Sequence, residues 1–231
     1  MVALTERRPW VAFVREIVDI KGLDVARGIR VSGEALRIGA LSTNAELMSN
    51  TLVRRRGAVL AEAAAATGAP ALRHRGTIGG NLTTPHPAGD VTTALLALGA
   101  TVDVVDGLDR REMPITEFMT AQATLWPRQR LIVAVTVPWC RRSAFEKAGL
   151  RSSFSRSVAA VGVAVHGSGT TVAFGGLRAR PFVATSVETG TVSGGSVVAA
   201  SASERLAQHD PYRIRLADVL LGRALARVRR R

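Results

Sequence analysis

The sequence predicts an α+β fold in two parts, with the junction near Pro138. Short β-branched runs alternate with helix signals along the whole chain. Hydrophobic residues make up 47% and charged residues 21%, enough for a substantial core. The composition also shifts after Pro138-Trp139. The 231 residues suffice for one large domain or two modest ones.

Taken in order, Ile17 to Ile20 is a short apolar run with Asp19 inside it, and Leu36 to Gly39 reads as a brief strand. Thr43-Asn44-Ala45-Glu46 has capping-box spacing, so a helix should start there. The alanine-rich stretch Val53 to Thr67 fits one longer helix, stopped by Gly68 and Pro70. Arg75 to Asn81 is glycine-rich and a poor candidate for a stable helix. Pro85, Pro87 and Gly89 prolong an irregular path until Asp90, which is placed to cap a helix from Val91 to about Leu98. Strands at Thr101–Val105 and Glu112–Ile115 flank a hairpin signal at Asp106-Gly107. Thr116 to Met119 predicts one helical turn, and Leu131 to Val137 a nearly continuous apolar strand. Further strands are expected at Ala144–Leu150, Val158–His166 and Thr171–Leu177, then a short helix over Pro181–Thr189 and a loop over residues 190–203. Pro211 to Val228 closes the chain as a helix, with apolar residues on one face and proline in its first turn. There is no internal repeat.

The net charge of +13 raises a nucleic-acid reading, which the distribution disfavours. Of 31 basic residues only Lys21 and Lys147 are lysines, and the arginines are spread along the chain. Aromatics at 4% are too few for a base-stacking platform. Cys140 is the only cysteine, so neither an internal disulfide nor an iron–sulfur cluster can form on this chain. It reads as a packing residue at a strand end. His74 and His86, twelve apart with no third ligand nearby, make a poor metal site. No Gly-x-Ser-x-Gly elbow supports a hydrolase. No run of 18 apolar residues and no secretory leader are evident, so a cytoplasmic protein without a membrane span is expected.

Chemistry concentrates between Thr77 and Asp90. Gly79 and Gly80 permit backbone in which consecutive N–H groups point one way, a concavity that binds anions such as a pyrophosphate. Asn81 offers a donor and an acceptor, and Asp90 can accept from sugar or ribityl hydroxyls. A tight turn followed by a helix cap explains the same residues equally well, and a glycine pair alone is weak evidence. Arg73 and Arg75, just before the loop, suit either solvent or phosphate.

The combination is more specific than its pieces. Gly-Thr-Ile-Gly-Gly-Asn at 76–81, Pro-Ala-Gly-Asp at 87–90 and Ala-Leu-Leu-Ala-Leu-Gly-Ala at 94–100 resemble the FAD-binding subunit of the xanthine dehydrogenase and carbon monoxide dehydrogenase family. Ile17 to Ile20, Leu36 to Thr43, Ala144 to Lys147 and Tyr212-Arg213 resemble further landmarks in the same order, so the likeness covers roughly residues 17 to 228.

The resemblance implies a PCMH-type (vanillyl-alcohol-oxidase-like) FAD-binding domain followed by a smaller α+β domain like the C-terminal one of carbon monoxide dehydrogenase flavoproteins. Residues 1–20 would be a remnant of the first FAD-binding subdomain, 21–138 the second, and 139–231 the C-terminal domain. It assigns Thr77, Ile78, Gly79, Gly80 and Asn81 to the second FAD loop and Asp90 to a cofactor contact. Ile132 would pack near the flavin, Phe145 would lie beside its ring, and Lys147 would stabilise the reduced anion. A β-branched side chain at Gly79 is then expected to block the phosphate and abolish FAD uptake, leaving the C-terminal domain folded. The implied function is electron transfer without a side-chain nucleophile. A large partner subunit would hold molybdopterin and a small one [2Fe-2S] clusters, and the flavin would pass electrons to NAD, a quinone or oxygen.

Two features depart from the family pattern. Its first glycine loop, Ala-Gly-Gly-Thr-x-Leu, has no counterpart in Met1 to Glu16, and Ser155 to Val158 lacks the usual acidic residue. Residues 190–203 are also shorter than the family's alanine-rich segment. A degenerate scaffolding subunit or nonfunctional fragment is therefore the rival reading.

Overall fold

The computed structural model describes residues 18–84, 86–125, 130–151, 154–167, 169–188 and 211–230. Two antiparallel sheets face each other across a layer of helices. The first sheet comprises β1 (Ile29–Ser32), β2 (Ala35–Gly39), β3 (Thr101–Asp106), β4 (Asp109–Pro114) and β5 (Arg130–Pro138), in the order β1-β2-β5-β3-β4. The second comprises β6 (Arg142–Gly149), β7 (Ser157–His166), β8 (Gly169–Gly175) and β9 (Phe182–Glu188), in sequence order. The first sheet thus ends at Pro138 and the second begins at Arg142.

Between β2 and β3 run α1 (Asn44–Ser49), α2 (Thr51–Arg56), α3 (Ala58–Ala66), α4 (Pro70–Arg73), α5 (Ile78–Thr83) and α6 (Asp90–Ala97). α7 (Ile115–Leu125) follows β4, and α8 (Pro211–Arg230) covers the far face of the second sheet. The capping box at Thr43 is complete: its Oγ1 accepts from the Glu46 amide at 3.2 Å, and its own amide donates to Glu46 Oε2 at 2.6 Å. Thr43→Ala should lower stability by about 1 kcal/mol, read as a lower urea midpoint at unchanged slope.

The predicted single helix over Val53 to Thr67 is two. Asn50 starts α2 by accepting from the amides of Leu52 and Val53, and Gly57, a weak helix former, leaves helical geometry before α3. Gly68 and Pro70 do end that region. The predicted turn at 116–119 is the longer α7, and the predicted helix at Pro181–Thr189 is strand β9, paired with β8. The apolar run at 17–20 forms no strand over residues 18–20, and the expected loop at 190–203 lies outside the described residues.

α6 is the hub of the core. All eight of its residues are buried, and it packs against β7 and β8 on one side and α3 on the other. Gly175 makes this approach possible, since a Cβ there would stand 2.5 Å from Thr93 Oγ1. One apolar cluster joins the first sheet, α3, α6 and Phe145 of β6; a second lies between the second sheet and α8. Cys140 is buried just past the end of β5, its single S–H shared between the carbonyls of Arg142 and Val165. Burial pushes that thiol up, which keeps it protonated and inert.

Candidate functional site

The glycine stretch is helical from Ile78, contrary to the propensity argument. Thr77 caps α5 by accepting from the Gly80 amide at 3.1 Å. The preceding turn is stitched to the chain leaving β2: Asn44 N donates to Gly76 O, Ile78 N to Ser42 O and Gly79 N to Ala40 O, all at 2.9 Å. Together with buried Ile78 and Leu82, these long-range bonds offset the low helix propensity of two glycines.

The amides expected to form an anion concavity are therefore already engaged. Those of Gly76, Ile78, Gly79 and Asn81 donate to the protein's own carbonyls. Gly79 faces inward, where an added Cβ would lie 2.9 Å from both Cβ and O of Ala40. Its side-chain-free backbone serves internal packing, which corrects the expected effect of substituting it.

The outward side differs. Gly80 is exposed, its amide meets a hydroxyl and no carbonyl, and a Cβ there would approach only Thr77 Oγ1, at 3.1 Å. Asn81 holds the turn together, donating through Nδ2 to Asn44 Oδ1 and Thr77 O. A flat or extended ligand can thus reach the main chain over Gly80, with the Thr77 hydroxyl and Gly80 amide as exchangeable partners.

Asp90 and Lys147 come together, but with each other. Asp90 lies in the first turn of α6 and makes no capping bond. Lys147 Nζ on β6 donates to Asp90 Oδ2 at 2.8 Å, to Ala66 O at 2.7 Å and to Ser155 O at 3.2 Å. Ser157 Oγ donates to the other carboxylate oxygen. Burial pushes the Asp90 carboxyl above its usual range, and Lys147, Ser157 and His86 pull against it. Ser157, 67 residues away in sequence, gave no local signal of this partnership.

Phe145 is buried two residues before Lys147 on the same face of β6; its amide donates to Glu62 Oε2 and its carbonyl accepts from Arg227. Ile132 is buried in β5 opposite Val104. Arg73 bonds the Gly68 carbonyl. No group of three metal-ligating side chains occurs among the described residues, and none of their helices is long and apolar enough to cross a membrane.

The chain is 34% identical over 158 residues to the nicotinate dehydrogenase FAD-subunit of Eubacterium barkeri, matching 64% of this chain and 53% of that protein. It is 33% identical to the carbon monoxide dehydrogenase medium chain of Hydrogenophaga pseudoflava, matching 53% of this chain and 43% of that one. The chain spans about half the length of the curated relatives it matches. Among solved structures, carbon monoxide dehydrogenase from Hydrogenophaga pseudoflava superposes with a TM-score of 0.78 at 25% identity, over 92% of this chain and 81% of that one. Quinoline 2-oxidoreductase from Pseudomonas putida 86 shares the fold, with a TM-score of 0.78 at 21% identity over 96% and 86%. Residues 4–140 match the FAD binding domain in molybdopterin dehydrogenase, and the chain belongs to that family.

Proposed function

We propose that this chain binds FAD non-covalently and is the electron-transfer subunit of a molybdenum hydroxylase. The observation that carries this is the outward face of the 77–81 turn, set in a chain whose first 140 residues match an FAD-binding domain almost throughout. FAD would supply the redox chemistry, accepting electrons that arrive from partner subunits. Thr77 and Gly80 would touch the diphosphate, and Asn81 would hold their geometry. Ile78 and Gly79 would fix the turn to Ala40 and Ser42 from behind. Asp90, Lys147, Phe145 and Ile132 would stand behind the cofactor, with Asp90–Lys147 locking the helical layer to the second sheet. The partners would be a large molybdopterin subunit and a small [2Fe-2S] subunit, in the cytoplasm. Residues 1–20, 21–138 and 139–231 would be the first-subdomain remnant, the second FAD subdomain and the C-terminal domain.

Purified full chain should show flavin absorbance or acquire it when FAD is added. Gly80→Val should abolish that uptake while leaving the unfolding free energy within about 1 kcal/mol of wild type, since the position is exposed. A folded wild-type chain that takes up no FAD supports the scaffolding reading instead.

A further inference from the structure

A cleft of about 580 Å³ opens where the first sheet hands over to the second, lined by Glu34, Pro138, Trp139, Arg141, Arg142 and Val165. None of these belongs to the turn at 77–81. Trp139 is 42% exposed, yet its backbone is fixed: its amide donates to Glu34 O, and the next amide, of Cys140, donates to Arg56 O. The guanidinium of Arg56 lies 4.7 Å from the centre of the Trp139 ring and that of Arg141 at 5.0 Å.

Among the described residues, Arg56, Arg141 and Arg142 form no ion pair with a carboxylate. Four arginines elsewhere are neutralised: Arg37 and Arg110 share Asp103, Arg130 holds Asp106, and Arg227 bridges Glu62 and Glu146. What sets this place apart is that two of its three guanidiniums without a carboxylate partner are ordered on one exposed tryptophan. Ordering an arginine on an aromatic ring reduces the entropy lost when its fork meets an anion.

We propose that this cleft is a docking site for an acidic segment of a partner protein, with Arg56, Arg141 and Arg142 receiving its carboxylates and Trp139 presenting the guanidiniums. Two guanidiniums already lie against the Trp139 ring, so it is poorly placed to stack a nucleobase. The planar forks match carboxylates in a bidentate manner. Tryptophan and arginine together are also the residues that dominate binding energy at protein interfaces. A chain of net charge +13 favours an acidic counterpart. The inference rests on the reading that this chain works within an assembly, but it needs no flavin.

The test is fluorescence anisotropy of the full chain with a short fluorescein-labelled peptide rich in Asp and Glu, alongside flavin absorbance of the same samples. Wild type should bind, and Arg141→Gln/Arg142→Gln should weaken binding by roughly tenfold or more with flavin content unchanged. Trp139→Ala should weaken it too, and Trp139→Phe, which keeps a ring for the guanidiniums, should restore most of it. Equal affinity in the arginine variant overturns the proposal. So does displacement of the peptide by a DNA duplex or inorganic phosphate at matched charge concentration, because the cleft would then not select carboxylates. Peptide binding by a chain that takes up no FAD sinks the flavin reading and leaves the cleft standing; flavin without peptide binding does the reverse.

Discussion

Gly79→Val should unfold the half of the molecule built on the first sheet. The added Cβ would sit 2.9 Å from both Cβ and carbonyl oxygen of Ala40, a separation that real side chains do not tolerate, and valine adds two methyls to that crowding. Relief requires α5 to back away from the chain after β2. That movement breaks the 2.9 Å bonds from Gly79 N to Ala40 O and from Ile78 N to Ser42 O. It also uncovers Ile78 and Leu82, both buried. Overpacking and two lost buried hydrogen bonds together should cost about 3 kcal/mol or more, a large part of the stability of an ordinary domain. Urea unfolding followed by circular dichroism reads this directly, and Gly80→Val is the matched control one residue on. Should the Gly79 variant unfold at the wild-type midpoint and lack only flavin, the inward role given to this glycine is wrong.

The pair Gly79-Gly80 shows where the sequence was legible and where it was not. The motif marked the right place, but a string of letters does not say which glycine faces the protein. That depends on Ala40, 39 residues earlier, through the ladder that joins the two segments. Locally encoded features read well: the capping box at Thr43, the hairpin at Asp106-Gly107 and the apolar strand at 131–137 all form. Features decided by distant contacts did not. α5 forms despite its glycines because Ser42 and Ala40 supply acceptors, and Phe182–Glu188 becomes a strand because the open edge of β8 takes it up. Asp90 illustrates the same limit at the site. Its position before an apolar helix predicts a cap, but the helix begins at Asp90 itself with Gly89 in the cap position, and the carboxylate is taken up by the ammonium of Lys147 and the hydroxyl of Ser157, both brought in by the second sheet.

Lys147→Met should be strongly destabilising, with a cost that depends on pH. The Asp90 side chain is 5% exposed, and Lys147 supplies its countercharge at 2.8 Å. Removing one partner of a buried pair strands the other, a loss of about 3 kcal/mol at the lower end of the usual range because Lys147 is itself 18% exposed. Burial already pushes the Asp90 carboxyl above its ordinary value of 3.8, against the pull of Lys147. The folded state therefore holds that proton more tightly than the unfolded chain, and stability falls as pH rises from about 3.8 through the folded value. Methionine removes the chief opposing influence, so the folded value climbs further and the window widens upward. The deficit of the variant should accordingly be largest at neutral pH and shrink as pH approaches 4, which urea titrations at the two pH values would reveal. Asp90→Asn in the same background should recover part of the loss at neutral pH and none at acid pH, since an amide has no charge to strand. A deficit equal at both pH values would mean that Lys147 acts through packing of its stem. Full stability at neutral pH with flavin lost would instead make Lys147 a contact of the cofactor, and the tether from Asp90 to the second sheet would have to be assigned to Ser157 of β7 alone.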